Sequence, residues 1–232
     1  MNSAALVKTV KLPMVEIFQT VEGEGTAAGY PTVFVRLFGC PLRCAWCDTP
    51  YSYPPAEAEF TMTIGEICER VASFRAARVC VTGGEPLLYG ERSGALLRAI
   101  AEMDQIVDVH VETSGAIAIA PFLTMVSSSK VRYIVDYKLP GSGEEARMDL
   151  ANVTDLRSVD ELKFVIASRV DYERACAVIA QYRPLGTILF SPVWGSVAPD
   201  QLVTWMLEDG LANVKLSLQI HKVIWDPQLR GV

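Results

Sequence analysis

Cys40, Cys44 and Cys47 stand within eight residues of one another in GCPLRCAWCDT (39–49), and Asp48 and Thr49 follow them with a carboxylate and a hydroxyl. Thiolates grouped in this way are ligands for zinc or for iron–sulfur clusters. A structural zinc site completes its shell with four donors. The chain offers no fourth thiol or imidazole nearby, because His110 and His221 lie far along the sequence. Ordinary ferredoxin-type clusters also take four cysteines. Three thiolates on a four-iron cluster leave one iron without a protein ligand, and an open metal position is where a small molecule can bind and react. The other cysteines, Cys68, Cys80 and Cys176, stand singly in apolar, periodic surroundings and read as packing residues. His110, between Val109 and Val111, reads as a core or solvent-face residue of a strand.

The elements that must hold these thiols follow from periodicity. Residues 32–38, 78–82, 107–112, 131–137, 161–166, 186–191 and 213–219 are predicted strands. Residues 63–74, 93–103, 169–182 and 200–209 carry apolar residues at three- and four-residue spacing and are predicted helices. Thr63 and Asp200 are expected helix starts, with Glu66 completing a capping box after Thr63. From residue 78 onward the strand starts recur every 24 to 30 residues. Near-continuous apolar strands joined by helices imply a parallel sheet, and seven strands fall short of the eight of a complete barrel. The expected fold is therefore α/β: a partial (open) β/α barrel with mainly parallel strands, in a single domain over 1–232. The polar segment 139–149 is expected to be a mobile loop. Ligands of such folds gather at the carboxyl ends of the strands. Gly39–Thr49, Gly83-Gly84-Glu85, Thr113-Ser114, Lys138, Ser191-Pro192 and His221 belong to that set.

The CxxxCxxC pattern at the end of the first of these strands, with Gly83-Gly84-Glu85-Pro86 after the next, resembles the radical S-adenosylmethionine (SAM) superfamily. The resemblance implies a [4Fe–4S] cluster on Cys40, Cys44 and Cys47, with SAM in the open iron position. It implies SAM contacts at Trp46, at Gly83, Gly84 and Glu85, and at Glu112, Thr113 and Ser114. Further contacts are implied at Asp136, Tyr137 and Lys138, and at Ser191, Pro192, Val193 and Trp194.

EIFQTVEGEGTAAGYPTVFVRLFGC (16–40) and QIHKVIWDPQLRGV (219–232) are more specific, and both resemble the 7-carboxy-7-deazaguanine synthase family. That family converts 6-carboxy-5,6,7,8-tetrahydropterin to 7-carboxy-7-deazaguanine with loss of ammonia, on the way to queuosine and other 7-deazapurine nucleosides. The resemblance implies pterin contacts at Val21, Glu22, Gly23, Glu24, Arg36, Thr82, His221 and the terminal carboxylate of Val232. A guanidinium fork at Arg36 suits the substrate carboxylate, and Glu24 can accept from pterin N–H groups. Glu22 stands where the family most often has Gln, so this chain has an acid there and no amide donor. Mg²⁺ is implied on Thr49 and Asp48, with waters and substrate oxygens completing its shell. An external electron donor, flavodoxin-like or ferredoxin-like, and a homodimer follow from the same resemblance.

The formal charge of -6 and a pI near 5.1 argue against nucleic-acid binding by phosphate neutralisation. No stretch of about 18 apolar residues could span a bilayer. The N-terminal apolar run is short and interrupted by Lys8 and Lys11, so a cytoplasmic protein with reduced or metal-bound cysteines is expected. Two rivals remain: a radical SAM activase acting on a partner protein's glycine, and, from another class, an iron–sulfur electron carrier or zinc-stabilised scaffold.

Overall fold

Alternation along the strands decides the architecture. In the computed structural model, which describes residue 7 and residues 9–232, nine strands form one sheet in the order β3-β1-β2-β4-β5-β6-β7-β8-β9. Residues 1–6 and Lys8 of the N-terminal run lie outside the described residues. The strands are β1 (Lys11–Val21), β2 (Pro31–Leu37), β3 (Phe60–Thr63), β4 (Arg78–Gly83), β5 (Asp108–Thr113), β6 (Val131–Tyr137), β7 (Glu161–Ile166), β8 (Thr187–Pro192) and β9 (Val214–Leu216). From β2 through β9, apart from β3, neighbours are parallel, whereas β1 pairs antiparallel with both β2 and β3. β1 and β3 add two strands to the seven predicted, and β9 ends at Leu216, short of residue 219.

Val35 and Leu37 on β2, Val79 and Val81 on β4, Val109 and Val111 on β5, and Leu162 and Phe164 on β7 sit in one continuous apolar core. The helices α1 (Ile64–Ala72), α2 (Glu91–Ala101), α5 (Arg169–Tyr182) and α6 (Pro199–Glu208) cover it with Ile67, Leu96, Tyr172 and Leu202. There are also short helices α3 (Ala120–Met125), α4 (Ala151–Asp155) and α7 (His221–Ile224). Thr63 caps α1 by the expected reciprocal bonds with Glu66. At α6 the first turn begins with Pro199, one residue before the expected start, a position that suits proline because it needs no amide donor.

Most of the residues between the apolar ones are polar, among them Arg36, Thr82, Asp108, His110, Glu112, Arg132, Asp136, Glu161 and Lys163, with Phe34, Cys80 and Ile134 interspersed. Side chains alternate faces along a strand, so these share the opposite side of the sheet. Lys163 on β7 comes within 3.9 Å of Glu112 on β5, across the intervening β6, so that side is concave. The sheet stays open, with β3 and β9 as its edges. The segment after β1 is tied to β9 and the residues following it: Gly25 N–H donates to Ser217 Oγ at 2.9 Å, Ile220 N–H to the Gly23 carbonyl at 3.0 Å, and Lys215 Nζ to the Gly25 carbonyl at 3.0 Å.

Segment 139–149 is not a free loop. It folds into 3-10 turns at Pro140–Ser142 and Glu145–Arg147, and the buried Asp171 accepts from Gly141 N–H at 2.8 Å. Phe164 joins the layers of the core, edge-on to Phe190 at 5.7 Å and tilted on Tyr137 at 5.5 Å. Truncating such a buried ring leaves a cavity, so Phe164→Ala is expected to cost about 3–5 kcal/mol in denaturant-induced unfolding.

Candidate active site

The three thiols follow β2 on a loop held by backbone bonds from several directions. Gly39 N–H donates to the Ser52 carbonyl at 2.6 Å, Ala45 N–H to Ser142 O at 3.0 Å, and Arg43 N–H to Glu144 Oε1 at 2.6 Å. The last two partners come from the segment expected to be mobile. Trp46 packs beside Gly141, where an added Cβ would meet its ring at 3.0 Å. Cys40, Cys44 and Cys47 are free and half-buried. Burial raises the Cys40 and Cys44 thiols, the latter to about 11, so cluster assembly must expel their protons.

The turn after β4 locks onto this loop. Gly84 N–H donates to Leu37 O at 3.1 Å and Glu85 N–H to Gly39 O at 2.7 Å. A Cβ on Gly83, whose φ is +138°, would lie 2.1 Å from Leu37 O, and one on Gly84 would lie 2.3 Å from Gly39 O and 2.9 Å from Cys40 Cβ. The close approach is therefore to the backbone at the end of β2 for Gly83 and to the cluster loop for Gly84. Glu85 is fully buried and accepts from Leu87 N–H at 2.9 Å, Ser114 N–H at 2.8 Å, Thr113 Oγ1 at 2.9 Å and the Ser114 hydroxyl. Burial raises its pKa, and those four donors oppose the rise. Thr113 and Ser114 thus spend their side chains on Glu85.

At the next strand ends, Asp136 receives Lys138 Nζ at 2.7 Å and keeps Oδ1 buried with no hydrogen-bond partner among the described residues. Tyr137 turns its ring to the helical side, against Phe164 and near Arg174, so its backbone alone borders the concave face. Ser191 and Pro192, the last residues of β8, and Val193 just after them are buried, and Trp194 is exposed.

The segment after β1 builds the other half. Val21 closes the β1–β2 ladder opposite Pro31. Glu24 reaches Lys163 Nζ at 3.0 Å and Gln219 Nε2 at 2.8 Å. Burial opposes its ionisation, but Lys163 and these hydrogen bonds outweigh it and hold the carboxyl at about 2. Gly23 lies against His221, the first residue of α7 rather than a strand end, and a Cβ there would sit 2.2 Å from His221 Nδ1. Burial lowers the His221 imidazole and favours its neutral form. Glu22 is turned inward, as described below. Thr82 donates to Glu112 Oε2 at 3.1 Å.

Arg36 uses Nε for Glu16 Oε1 at 2.8 Å, and its two Nη groups hold no hydrogen bond among the described residues. Gln219 also accepts from Lys222 at 2.8 Å, and Lys222 lies 3.7 Å from Asp48, so the C-terminal segment stitches Glu24 to the cluster loop. Thr49 Oγ1 has Cys47 Sγ at 3.7 Å as its neighbour, which leaves oxygen lone pairs open. Arg230 stacks over Tyr51 at 3.7 Å, two residues before Val232.

Three free thiols on one loop and a buried, unpartnered carboxylate oxygen on Asp136 are a donor set that fits an iron–sulfur cluster carrying a small polar ligand. Lys163 was missed from the sequence. It is buried among Glu24 at 3.0 Å, Asp136 at 3.8 Å and Glu112 at 3.9 Å, and so joins the two halves of the site. Its signal was a lysine between the apolar Leu162 and Phe164 of ELKFVI, a position that tolerates a charge only when paired.

The sequence model described as the Radical SAM superfamily matches residues 35–122. The 7-carboxy-7-deazaguanine synthase of Chlorobaculum tepidum is 41% identical over 94% of this chain and 96% of its own length. That of Leptospira interrogans is 35% identical over 96% and 99%, and that of Clostridium acetobutylicum 35% over 94% and 98%. The crystal structure of QueE from Escherichia coli shares the fold, with a TM-score of 0.71 at 22% identity over 94% of this chain and 98% of that one. Since the second glycine touches the cluster loop directly, Gly84→Ala is expected to lower iron and sulfide content per chain at least several-fold after anaerobic reconstitution, with all three thiols still present.

Proposed function

Because the chain belongs to the 7-carboxy-7-deazaguanine synthase family of radical SAM enzymes, we propose that it converts 6-carboxy-5,6,7,8-tetrahydropterin to 7-carboxy-7-deazaguanine and ammonia between loop 22–26, Arg36 and the cluster loop. The observation that carries this reading is one rim with an ionised acceptor, Glu24, and a cation with unspent donors, Arg36, stitched together through Gln219 and Lys222. The pterin's pyrimidine edge offers N–H donors to Glu24, and its carboxylate takes the two free Nη groups of Arg36 in parallel charge-assisted bonds. Gly23 and Gly25 let the loop pack closely against His221 and Glu161.

Cys40, Cys44 and Cys47 would hold the [4Fe–4S] cluster, and Asp136 Oδ1, with the backbone of residues 83–85, 112–114 and 191–194, would receive SAM. When bound and reduced, the cluster with SAM would supply hydrogen-atom abstraction at the substrate carbon beside its carboxylate. The chain's own part is to hold that carbon in place and to keep water out. Thr49, with Asp48, would carry Mg²⁺ against the substrate carboxylate. A small flavodoxin-like or ferredoxin-like reductant, a homodimer and a cytoplasmic setting complete the proposal; among the described residues no helix is long and apolar enough to cross a membrane. An activase is not favoured, since the relatives named above are synthases along 94–96% of this chain.

Arg36→Ala is expected to lower pterin turnover by at least about 100-fold, the scale of two lost charge-assisted bonds, while SAM cleavage under strong reduction persists. Anaerobic assay of both products tests this, and unchanged pterin turnover overturns the substrate assignment. Omitting and restoring magnesium in the same assay is expected to lower and then recover turnover without changing iron content.

A further inference from the structure

Glu22 does not extend a free carboxylate into the site. It is 2% exposed, and Oε1 accepts from Gly23 N–H at 2.8 Å and Glu24 N–H at 3.2 Å. Oε2 lies 2.7 Å from Nε2 of the wholly buried His110. The other imidazole nitrogen, Nδ1, lies 2.7 Å from Asp108 Oδ2, so both ring nitrogens face carboxylates and both must donate. Asp108 in turn accepts from Arg132 Nε at 2.8 Å, and Arg132 also pairs with Glu161. Glu161 closes the circuit by accepting from the Thr26 hydroxyl and from its N–H at 3.2 Å. The amides of Gly23, Glu24 and Thr26 are thereby held by two carboxylates that one chain of alternating charge connects, buried at Glu22, His110 and Glu161 and half-buried at Asp108 and Arg132. Ser217 takes the amide between them.

We propose that the Glu22–His110 ion pair, backed by Asp108 and Arg132, is a clamp that positions loop 22–26, so that Glu22 acts on turnover through the placement of Glu24 and not by touching the pterin. This rests on the reading above that Glu24 binds the substrate. Glu22 and His110 are positioning residues. Cys80, whose Sγ lies within 4.8 Å of the paired atoms, is a buried thiol with its pKa well raised by burial, so it adds no charge. Glu112, on the same strand, faces Lys163 and the ring.

The clamp requires a doubly protonated ring. Burial opposes that charge, but the hydrogen bonds of Asp108 and Glu22 outweigh it and raise the imidazole from 6.5 to about 9, against a lowering by Arg132. A raised histidine contributes fully below its unfolded value and loses the contribution as pH rises through the folded value. The clamp should therefore hold through neutral pH and slacken near 9.

The test compares holoenzymes of wild type, E22Q, E22A and H110A. In E22Q the side-chain carbonyl could still accept from the two loop amides while its NH₂ donates to a neutral His110, so this variant should weaken the alkaline fall in pterin kcat/KM. E22A leaves two amides and one imidazole nitrogen unpaired and should raise pterin KM at least 10-fold at neutral pH, with little change in iron content or uncoupled SAM cleavage. H110A strands a buried carboxylate and should behave like E22A, and adding E22Q to it should recover part of the loss. Histidine-selective ¹⁵N NMR, simple with only two histidines, should show His110 doubly protonated to about pH 9 in the wild type and neutral by pH 7.5 in E22Q. A wild-type ring already neutral at pH 7.5, an E22Q alkaline limb identical to the wild type's, or an E22A pterin KM that does not rise overturns the clamp. Should H110A fail to fold, E22Q and the NMR titration decide alone. A wild type inert towards the carboxypterin would refute the substrate reading instead and leave the NMR titration to judge the ion pair.

Discussion

A charge removed from water must be matched, and the concave face of this sheet is built under that constraint. Stranding one partner of a buried ion pair costs about 3–5 kcal/mol, a large share of a domain's net stability. Lys163 therefore comes with Glu24, Glu112 and Asp136 around it, and Glu22 with His110, Asp108, Arg132 and Glu161. These pairs let a barrel that β-pairing does not close be filled by a polar loop. They also fix that loop's position relative to the strand ends where the chemistry takes place.

The thiol loop is fixed by a different means. Its partners are mostly backbone groups, from residues 52, 83–85 and 142, and the glycines at 83 and 84 permit an approach that any Cβ would block. Glu85 is consumed in this task, its carboxylate held by Thr113, Ser114 and the Leu87 amide. Three consecutive strand ends are thus coupled before any ligand arrives. Rigid placement of this kind is what radical chemistry asks of a protein, since a highly reactive species must meet one hydrogen and no other.

The parallel core of the fold was legible because its strands and four long helices carry clear periods. β1 was not, since Pro13, Glu16 and Gln19 break its pattern, and β3 is only four residues long. The helices at 120–125, 151–155 and 221–224 are too short for a 3.6-residue period to show. The polar alternation of Asp108, His110 and Glu112 was visible, yet read as a nearly apolar strand it concealed the charged interior. In the site, the thiols stood out by type and spacing, whereas Glu24 and Arg36 were singled out only through the family resemblance. The partners of Glu85, Glu22 and Lys163 were not, because they lie 28, 88 and 139 residues away and only the curved sheet brings them together. Segment 139–149 was misjudged for a related reason: its composition is that of a loop, but Gly141, Ser142 and Glu144 are bonded to buried or cluster-loop partners.

The account turns on one iron that the polypeptide does not ligate. Electron–nuclear double resonance on the reduced, reconstituted protein with SAM labelled by ¹⁵N at its amino group measures that directly. A resolved ¹⁵N coupling that replaces the ¹⁴N coupling seen with unlabelled SAM is the predicted result. A cluster signal unaltered by SAM, with every iron held by the protein, would contradict it.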